Sequence, residues 1–245
     1  MTGLEESPPQ LSRRRMDTGI PGLNQLLLGG IPSGATVCVM GPPGVGKSIL
    51  SKQFLYQGLI DGEPTLFLGT SESHSDVVER MHEFGWDAGL ASRLVYGDCY
   101  SWKLQRKSAK YSASLENPTD VGIMVNQIVT GERVDSRRNP RMVIDSFSDF
   151  LLTSGEDRAI SLLSHLKPRF REYRITTLVL LEEGLHAEKV QSTIEYLTDG
   201  TFLMRQGSDQ RELMVSRMVS TPVERSWIPF TIRNGIQMRM ASFFR

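Results

Sequence analysis

The sequence predicts an α/β protein in which a mostly parallel sheet is flanked by helices and continues into an antiparallel C-terminal extension. Two observations support this fold class. Short apolar runs such as "ATVCVM", "TLFLGT", "MVIDSF" and "TTLVLLEE" alternate with segments of helical periodicity, which is typical of a parallel sheet buried on both faces. After residue 199 the chain instead offers three or four closely spaced strand candidates, and their short connections indicate antiparallel pairing.

The predicted elements follow one another in the order that such a sheet requires. A helix over 73–86 is favoured because Val77, Met81 and Phe84 fall on one face at helical spacing, and the helix "AEKVQSTIEYLTDG" ends at Gly200. The run "RLVYGD" is a weaker strand candidate than its apolar neighbours. The other candidates are strands at 35–40, 65–70, 142–147 and 175–183, helices at 47–57 and 158–173, and the C-terminal runs "GTFLMRQ", "ELMVSRMV", "PFTIRN" and "IQMRM".

Composition limits the classes of function. The 28 Lys and Arg residues balance the 28 Asp and Glu residues, so the chain has no global basic field that would draw it to nucleic acid or to an anionic membrane. No apolar run approaches the roughly 20 residues that a membrane span needs, and the polar N-terminus does not resemble a signal peptide. We therefore expect a cytoplasmic protein. Cys38 and Cys99 lie far apart and are expected to be reduced and buried.

The chain is long enough for one substantial core, and we expect a single domain over residues 15–245. Residues 1–14 predict a flexible tail. Residues 101–139 are polar and irregular apart from one short helix and predict an exposed insertion. Its basic residues, with Trp102 and Tyr111 as stacking platforms, would suit single-stranded DNA, whereas its acidic residues fit an ordinary solvated loop.

The stretch "GPPGVGKS" has the pattern GxxxxGK[ST] and lies between a predicted strand and a predicted helix, which is the setting of a phosphate-binding loop. Its glycines allow successive N–H groups to point at phosphate oxygens, and the following helix adds its positive dipole end. Lys47 can reach the β- and γ-phosphates, and Ser48 can place its hydroxyl on Mg²⁺. The predicted nucleotide-binding residues are Gly41, Pro42, Pro43, Gly44, Val45, Gly46, Lys47, Ser48 and Ile49.

Two further carboxylates are expected at the same edge of the sheet. Asp145 ends the apolar strand in "RMVIDSFSDF", where it can order Mg²⁺ together with Ser48, although an aspartate there could also cap the next helix. Glu72 follows the strand "TLFLGT" and is the best candidate to activate the attacking water, although it could simply pair with a helix dipole. Glu182 and Glu183 end another strand and could also face the γ-phosphate.

These motifs occur in an order that resembles the KaiC-type branch of the RecA superfamily of ATPases, in particular its single-domain archaeal members. The resemblance extends from about residue 15 through "RMDTGIPGLNQLLLGGIPSG", the loop "GPPGVGKS", "FGWD", "MVIDSFSDF" and "TTLVLLEE" to the closing "IPFTIRNGIQM". It implies a RecA-like core, ATP and Mg²⁺ bound at subunit interfaces, and assembly into a homo-oligomer, commonly a hexameric ring.

The chain departs from that family at two positions. Ser71 and Glu72 stand where the family usually has two glutamates, and serine cannot act as a base near neutral pH. Arg217 and Val219 stand where a lysine and an arginine usually reach the neighbouring subunit's ATP, so one cation of the pair is missing. These departures predict strong binding of ATP with weak hydrolysis, with Lys47 and Glu72 as the catalytic residues and Arg217 as a nucleotide contact.

The biological role stays open between two classes of function. The first is a regulatory or signalling switch that assembles according to its nucleotide and acts on an unidentified protein partner. The second is a DNA recombination or repair accessory ATPase of the RadA-paralogue type. Autophosphorylation at Ser220 or Thr221 is less favoured, because the circadian members of the family carry two ATPase domains in tandem and this chain has one.

Overall fold

The computed structural model of the protein describes residues 14–104, 109–132 and 134–240. The predicted tail, residues 1–14, lies outside these ranges except for its last residue. The strands of the described chain are β1 (Arg15–Met16), β2 (Ile31–Pro32), β3 (Thr36–Gly41), β4 (Thr65–Gly69), β5 (Val95–Asp98), β6 (Tyr111–Ser112), β7 (Arg141–Asp145), β8 (Thr176–Glu182), β9 (Gly200–Gln206), β10 (Arg211–Met218), β11 (Ile228–Arg233) and β12 (Gly235–Met238). The α-helices are α1 (Pro21–Leu26), α2 (Lys47–Ile60), α3 (His74–Glu83), α4 (Ala88–Ala91), α5 (Pro118–Gly131), α6 (Phe147–Ser154), α7 (Glu156–Glu172) and α8 (Glu188–Leu197).

Within the described residues, ten strands form one sheet in the order β12-β11-β10-β9-β3-β8-β7-β4-β5-β6. The strands from β9 to β6 pair in parallel, and β10, β11 and β12 add antiparallel strands beyond β9. This confirms the predicted α/β architecture with its antiparallel C-terminal extension. The extension pairs with β9, which lies beside β3. β3 leads into the glycine-rich loop, which we define as residues 41–48.

The sheet separates two hydrophobic layers, as a parallel sheet with helices on both faces must. Val37 and Val39 of β3 face one layer, which includes residues of α1 to α4, and Cys38 and Met40 face the other, which includes residues of α5 to α8. Both cysteines are buried and free, as predicted, and burial raises the pKa of each thiol. None of the helices in the described part of the chain is long and apolar enough to cross a membrane.

The segment 101–139 is packed more closely than an exposed insertion would be. It contributes β6 to the edge of the sheet, and its helix α5 has 14 residues, one face of which is buried against the second layer. The apolar residues of α5 recur at helical spacing, so the helix is amphipathic within an otherwise polar stretch. Tyr111 is buried and Trp102 packs against the same layer, so neither ring stands free as a stacking platform. Residues 105–108 and 133 lie outside the described ranges.

A buried arginine links several elements at the amino-terminal ends of the parallel strands, opposite the glycine-rich loop. Arg141, the first residue of β7, is completely buried and donates through Nε to Glu63 at 2.5 Å and through Nη1 to the Phe54 carbonyl at 2.9 Å. Its guanidinium also stacks over the Phe54 ring at 4.7 Å and contacts Asp61 at 3.4 Å. A buried charge is costly unless it has partners, and these contacts supply them for Arg141. The same contacts connect β7 to α2 and to the α2–β4 connection.

Candidate functional site

The glycine-rich loop lies at the carboxyl edge of the sheet, between β3 and α2, as the sequence predicts. Its glycines are required by geometry at three points. Gly44 and Gly46 have φ values of +76° and +117°, which favour glycine, and a Cβ on Gly41 would stand 2.4 Å from the Met204 carbonyl oxygen of β9. A Cβ on Gly46 would also stand 3.0 Å from Ile232 of β11. The strands β9 and β11 therefore form one wall of the loop.

The turn of the loop opens outward and its end is anchored. Apart from Gly44 and its two chain neighbours, no residue in the described part of the chain comes within 4 Å of the place where a Cβ on Gly44 would stand, so the turn has room for a ligand in front of it. Val45 is buried in the first hydrophobic layer, and Gly46 is the N-cap of α2. The backbone N–H groups of the first helical turn accordingly lie beside this open space, in the position that favours an anion. Pro43 is exposed, whereas Pro42 and Ile49 are half-buried.

Lys47 is the first residue of α2, and its ammonium group is held within the protein. Its Nζ donates to the carbonyls of Gly41 and Pro42, at 2.7 and 2.9 Å, and to the carboxylate of Glu182 at 2.8 Å. The Lys47 side chain is 5% exposed and that of Glu182 is 26% exposed. The Glu182 carboxylate, at the end of β8, is therefore the anionic partner of the Lys47 ammonium group in this structure. Glu183 is exposed and does not share this contact.

Ser48 and Asp145 meet at the carboxyl edge, as the sequence predicts. Burial raises the pKa of Asp145, while the nearby Lys52 ammonium and a hydrogen bond from the Ser48 side chain act in the opposite direction. The main chain at Asp145 is fixed by Thr70, whose N–H and hydroxyl both donate to the Asp145 carbonyl at 3.0 Å. A serine hydroxyl paired with a carboxylate at this edge matches the protein ligands that Mg²⁺ takes in phosphate-binding sites.

Glu72 lies at the same edge, three residues after β4, with both carboxylate oxygens engaged. Oε1 accepts from Lys52 Nζ at 2.6 Å, and Oε2 is 2.9 Å from Arg80 Nε of α3. The main chain is fixed as well, since the Tyr96 hydroxyl donates to the Glu72 carbonyl. The neighbouring Ser71 is exposed.

Lys52 is the residue of this site that the sequence analysis missed. It is buried, with its ammonium 3.9 Å from an Asp145 carboxylate oxygen and 5.4 Å from the centre of the Phe67 ring. A lysine within a helix is usually solvated, and the residues next to Lys52 do not indicate its burial. The signal was its spacing: Lys52 follows Ser48 by four residues, which places both side chains on the same face of α2.

Arg217 lies near the amino-terminal ends of the parallel strands, away from the glycine-rich loop. It pairs with Thr201, next to the first residue of β9, and a bulge interrupts the pairing between Val215 and Arg217. Its guanidinium donates to the carbonyls of Glu195 and Thr198, at 2.5 and 2.9 Å, at the end of α8. The structure thus brings together Lys47, Ser48, Lys52, Glu72, Asp145 and Glu182, and it leaves Arg217 and Val219 apart from them within one chain.

The fold and the glycine-rich loop define a P-loop protein of the RecA type. A family model described as "ATPase: KaiC" matches residues 16–241, and the chain belongs to this KaiC ATPase family. The resemblance found in the sequence is thereby confirmed.

Relatives and a solved structure agree with this assignment. A UPF0273 protein of Methanopyrus kandleri is 28% identical over 236 residues, which are 91% of each chain, and one of Aeropyrum pernix is 35% identical over 141 residues, which are 56% of each chain. The crystal structure of a KaiC-like protein from Pyrococcus horikoshii superposes with a TM-score of 0.75 at 25% identity, covering 92% of this chain and 99% of the other.

Proposed function

We propose that the protein is a slow Mg²⁺-dependent ATPase that uses ATP to control its own assembly. The observation that carries the proposal is the convergence of Lys47, Ser48 and Asp145 at the open turn of the glycine-rich loop. In this proposal the backbone N–H groups at the start of α2 receive the phosphates, and Lys47 exchanges the Glu182 carboxylate for phosphate oxygens. Ser48 and Asp145 hold Mg²⁺ together with those oxygens.

Hydrolysis requires a water to attack the γ-phosphorus while the bond to the β–γ bridging oxygen breaks. The electron pair of that bond leaves with ADP, and a base accepts the proton of the water. Glu72 is the proposed base, since Ser71 cannot accept a proton near neutral pH. Bound Mg²⁺ would contribute by neutralising the charge that develops on the phosphate oxygens. Lys47 adds a fixed positive charge beside them.

Slow turnover is proposed because two contributions to the rate are weakened. A positioned base is worth about 10² to 10⁴ in rate, and an arginine supplied by a neighbouring subunit about 10³ to 10⁵. Here each carboxylate oxygen of Glu72 contacts a cation, Lys52 or Arg80, which makes it a weaker base. Val219 supplies no cation at a position where the family usually has one. The binding of ATP depends on neither contribution. We therefore expect ATP to bind normally and to be hydrolysed slowly.

Assembly enters the proposal through Arg217. Because Arg217 lies at the edge opposite the glycine-rich loop of its own chain, it can contact nucleotide only in a neighbouring subunit. A homo-oligomer, with a hexameric ring as its expected form, would place it there. Nucleotide would then bridge two subunits, so that its binding favours the assembled state.

Two measurements test the proposal together. Light-scattering mass, with and without Mg²⁺ and a non-hydrolysable ATP analogue, should show that the analogue promotes assembly, and Lys47→Ala should abolish both this effect and the binding heat of Mg-ATP. Lys189→Ala, which removes an exposed lysine of α8, is the matched control and should behave like the parent. An unchanged mass on binding of the analogue would overturn the switch, and an unchanged binding heat in Lys47→Ala would overturn the site.

The DNA-accessory alternative gains little support from the segment 101–139. The two aromatic residues that could have stacked on bases are packed, since Tyr111 donates to Glu132 and the Trp102 indole donates to the Cys99 carbonyl. Arg138, which could have met a phosphate, donates to the Gly62 carbonyl at 2.6 Å. A mobility shift with single-stranded DNA that weakens steeply with salt would reverse this preference.

A further inference from the structure

Glu72 is held from two sides by cations that differ in their surroundings. The Lys52 side chain is 4% exposed and lies beneath the carboxylate on α2, whereas the Arg80 side chain is 62% exposed and contacts it from the outer surface of α3. The Glu72 side chain itself is 12% exposed. The carboxylate is therefore enclosed between a buried cation and a solvated one.

The two contacts differ in how easily they break. Lys52 has no solvent to move into, and its other neighbours are the Asp145 carboxylate at 3.9 Å and the face of the Phe67 ring. Separating it from Glu72 would leave a buried charge without its nearest partner, which is strongly unfavourable. The Arg80 side chain can rotate into the solvent, because exposed ion pairs add little to stability. The contact with Arg80 is thus the releasable one.

The main chain does not share this freedom. The Tyr96 hydroxyl binds the Glu72 carbonyl, and Ser73, the next residue, is the N-cap of α3 in a capping box with Asp76. Only side-chain torsions can therefore redirect the carboxylate. A base must offer an oxygen lone pair to the proton it accepts, and a cation on that oxygen makes the lone pair less available.

We propose that Lys52 is the positioning residue of Glu72 and that Arg80 restrains the hydrolysis step by engaging the outer oxygen of the same carboxylate. The proposal rests on the proposed function, since it assumes that Glu72 accepts the proton of the attacking water. Lys52 fixes Oε1, so Oε2 is the oxygen that receives this proton, and it becomes available when Arg80 turns away. Arg80 touches no reacting atom and acts only through Glu72.

The test is steady-state and single-turnover hydrolysis of Mg-ATP by the full chain with Arg80→Gln. We expect kcat to rise about 3- to 10-fold, a part of what a free base contributes, with KM and the Kd of a fluorescent ATP analogue within about twofold of the parent. Arg80→Lys retains a cation and should restore the parent rate. Arg93→Gln removes another exposed arginine and is the matched control, expected to leave kcat unchanged.

One background and one further variant separate this role from a structural one. In Glu72→Gln the Arg80→Gln substitution should give no acceleration, because the oxygen that it frees is no longer a base. Lys52→Met should lower kcat without changing the analogue Kd, and a thermal melt shows whether this variant is folded. If it is not, the Arg80 series decides alone.

An unchanged or reduced kcat in Arg80→Gln would overturn the restraint, and so would an acceleration that persists in the Glu72→Gln background. If the parent binds ATP without detectable turnover, Arg80→Gln must make turnover detectable, otherwise the proposal fails. Failure of the proposed function is recognised separately, since the fluorescent analogue would then not bind the parent.

Discussion

Replacing Glu182 by glutamine should strengthen ATP binding, because Glu182 competes with phosphate for Lys47. In the structure the Glu182 carboxylate holds the ammonium at 2.8 Å, and nucleotide has to break this ion pair before Lys47 can turn to the phosphates. Glutamine has nearly the same shape and can still accept a hydrogen bond, but it lacks the negative charge. The free state is then less stable relative to the bound state, and a negative charge near the bound phosphates disappears.

The size of the effect follows from the distance and the burial. Two unit charges 2.8 Å apart attract by about 6 kcal/mol at an effective dielectric constant of 20, which is an upper bound. The Glu182 side chain is 26% exposed, so water screens it, and the two carbonyl contacts of Lys47 remain. We expect a net gain of about 1 to 2 kcal/mol, or roughly 5- to 30-fold in Kd.

Calorimetry with Mg-ATP measures the gain directly. Glu183→Gln removes the neighbouring exposed carboxylate, which does not contact Lys47, and should change Kd by less than about twofold. In a Lys47→Ala background, which is expected to give no binding heat, Glu182→Gln should not restore binding, because the ion pair is already absent. An affinity that stays constant or falls in Glu182→Gln alone would refute the competition between Glu182 and phosphate.

Three further substitutions have defined outcomes. Gly41→Ala should destabilise the fold by about 1–3 kcal/mol in a denaturant titration and weaken ATP binding, because its Cβ would stand 2.4 Å from the Met204 carbonyl oxygen. Asp145→Asn should abolish Mg²⁺-dependent turnover yet raise the midpoint of thermal unfolding without nucleotide, because burial raises the folded pKa of Asp145. This gain should be absent below pH 3.8, grow as the pH rises towards the folded pKa and stay constant above it; an equal gain at all pH values would contradict it. Arg141→Met should lower the free energy of unfolding by about 3–5 kcal/mol in a urea titration, because Glu63 loses its buried partner, and a loss below 1 kcal/mol would contradict this.

Local patterns were sufficient to predict the sheet and most of the site. The glycine-rich loop was found because its residues are close in sequence, and Asp145 was placed beside Ser48 because the carboxyl ends of parallel strands share one edge. The order of apolar strands and helices likewise predicted the parallel sheet and its antiparallel extension.

Contacts between distant residues were harder to predict. The pairing of Lys52 with Glu72 joins α2 to the turn after β4, and neither residue alone indicates it. The ion pair of Lys47 with Glu182 spans 135 positions, so the sequence could suggest only that Glu182 faces the site. The helix α5 was underestimated because the polar residues around it obscured an apolar face that is buried only when the sheet is assembled.

The strand β10 extends from the side of the glycine-rich loop to Arg217. It begins at Arg211, near the strands that wall the glycine-rich loop, and reaches Arg217 at the opposite edge, about 20 Å away at the usual rise per residue. β10 pairs with β9 from Arg211 to Val215 and again, beyond the bulge, at Arg217 and Met218. One strand therefore connects the wall of the glycine-rich loop with the arginine that would meet a neighbouring subunit's nucleotide.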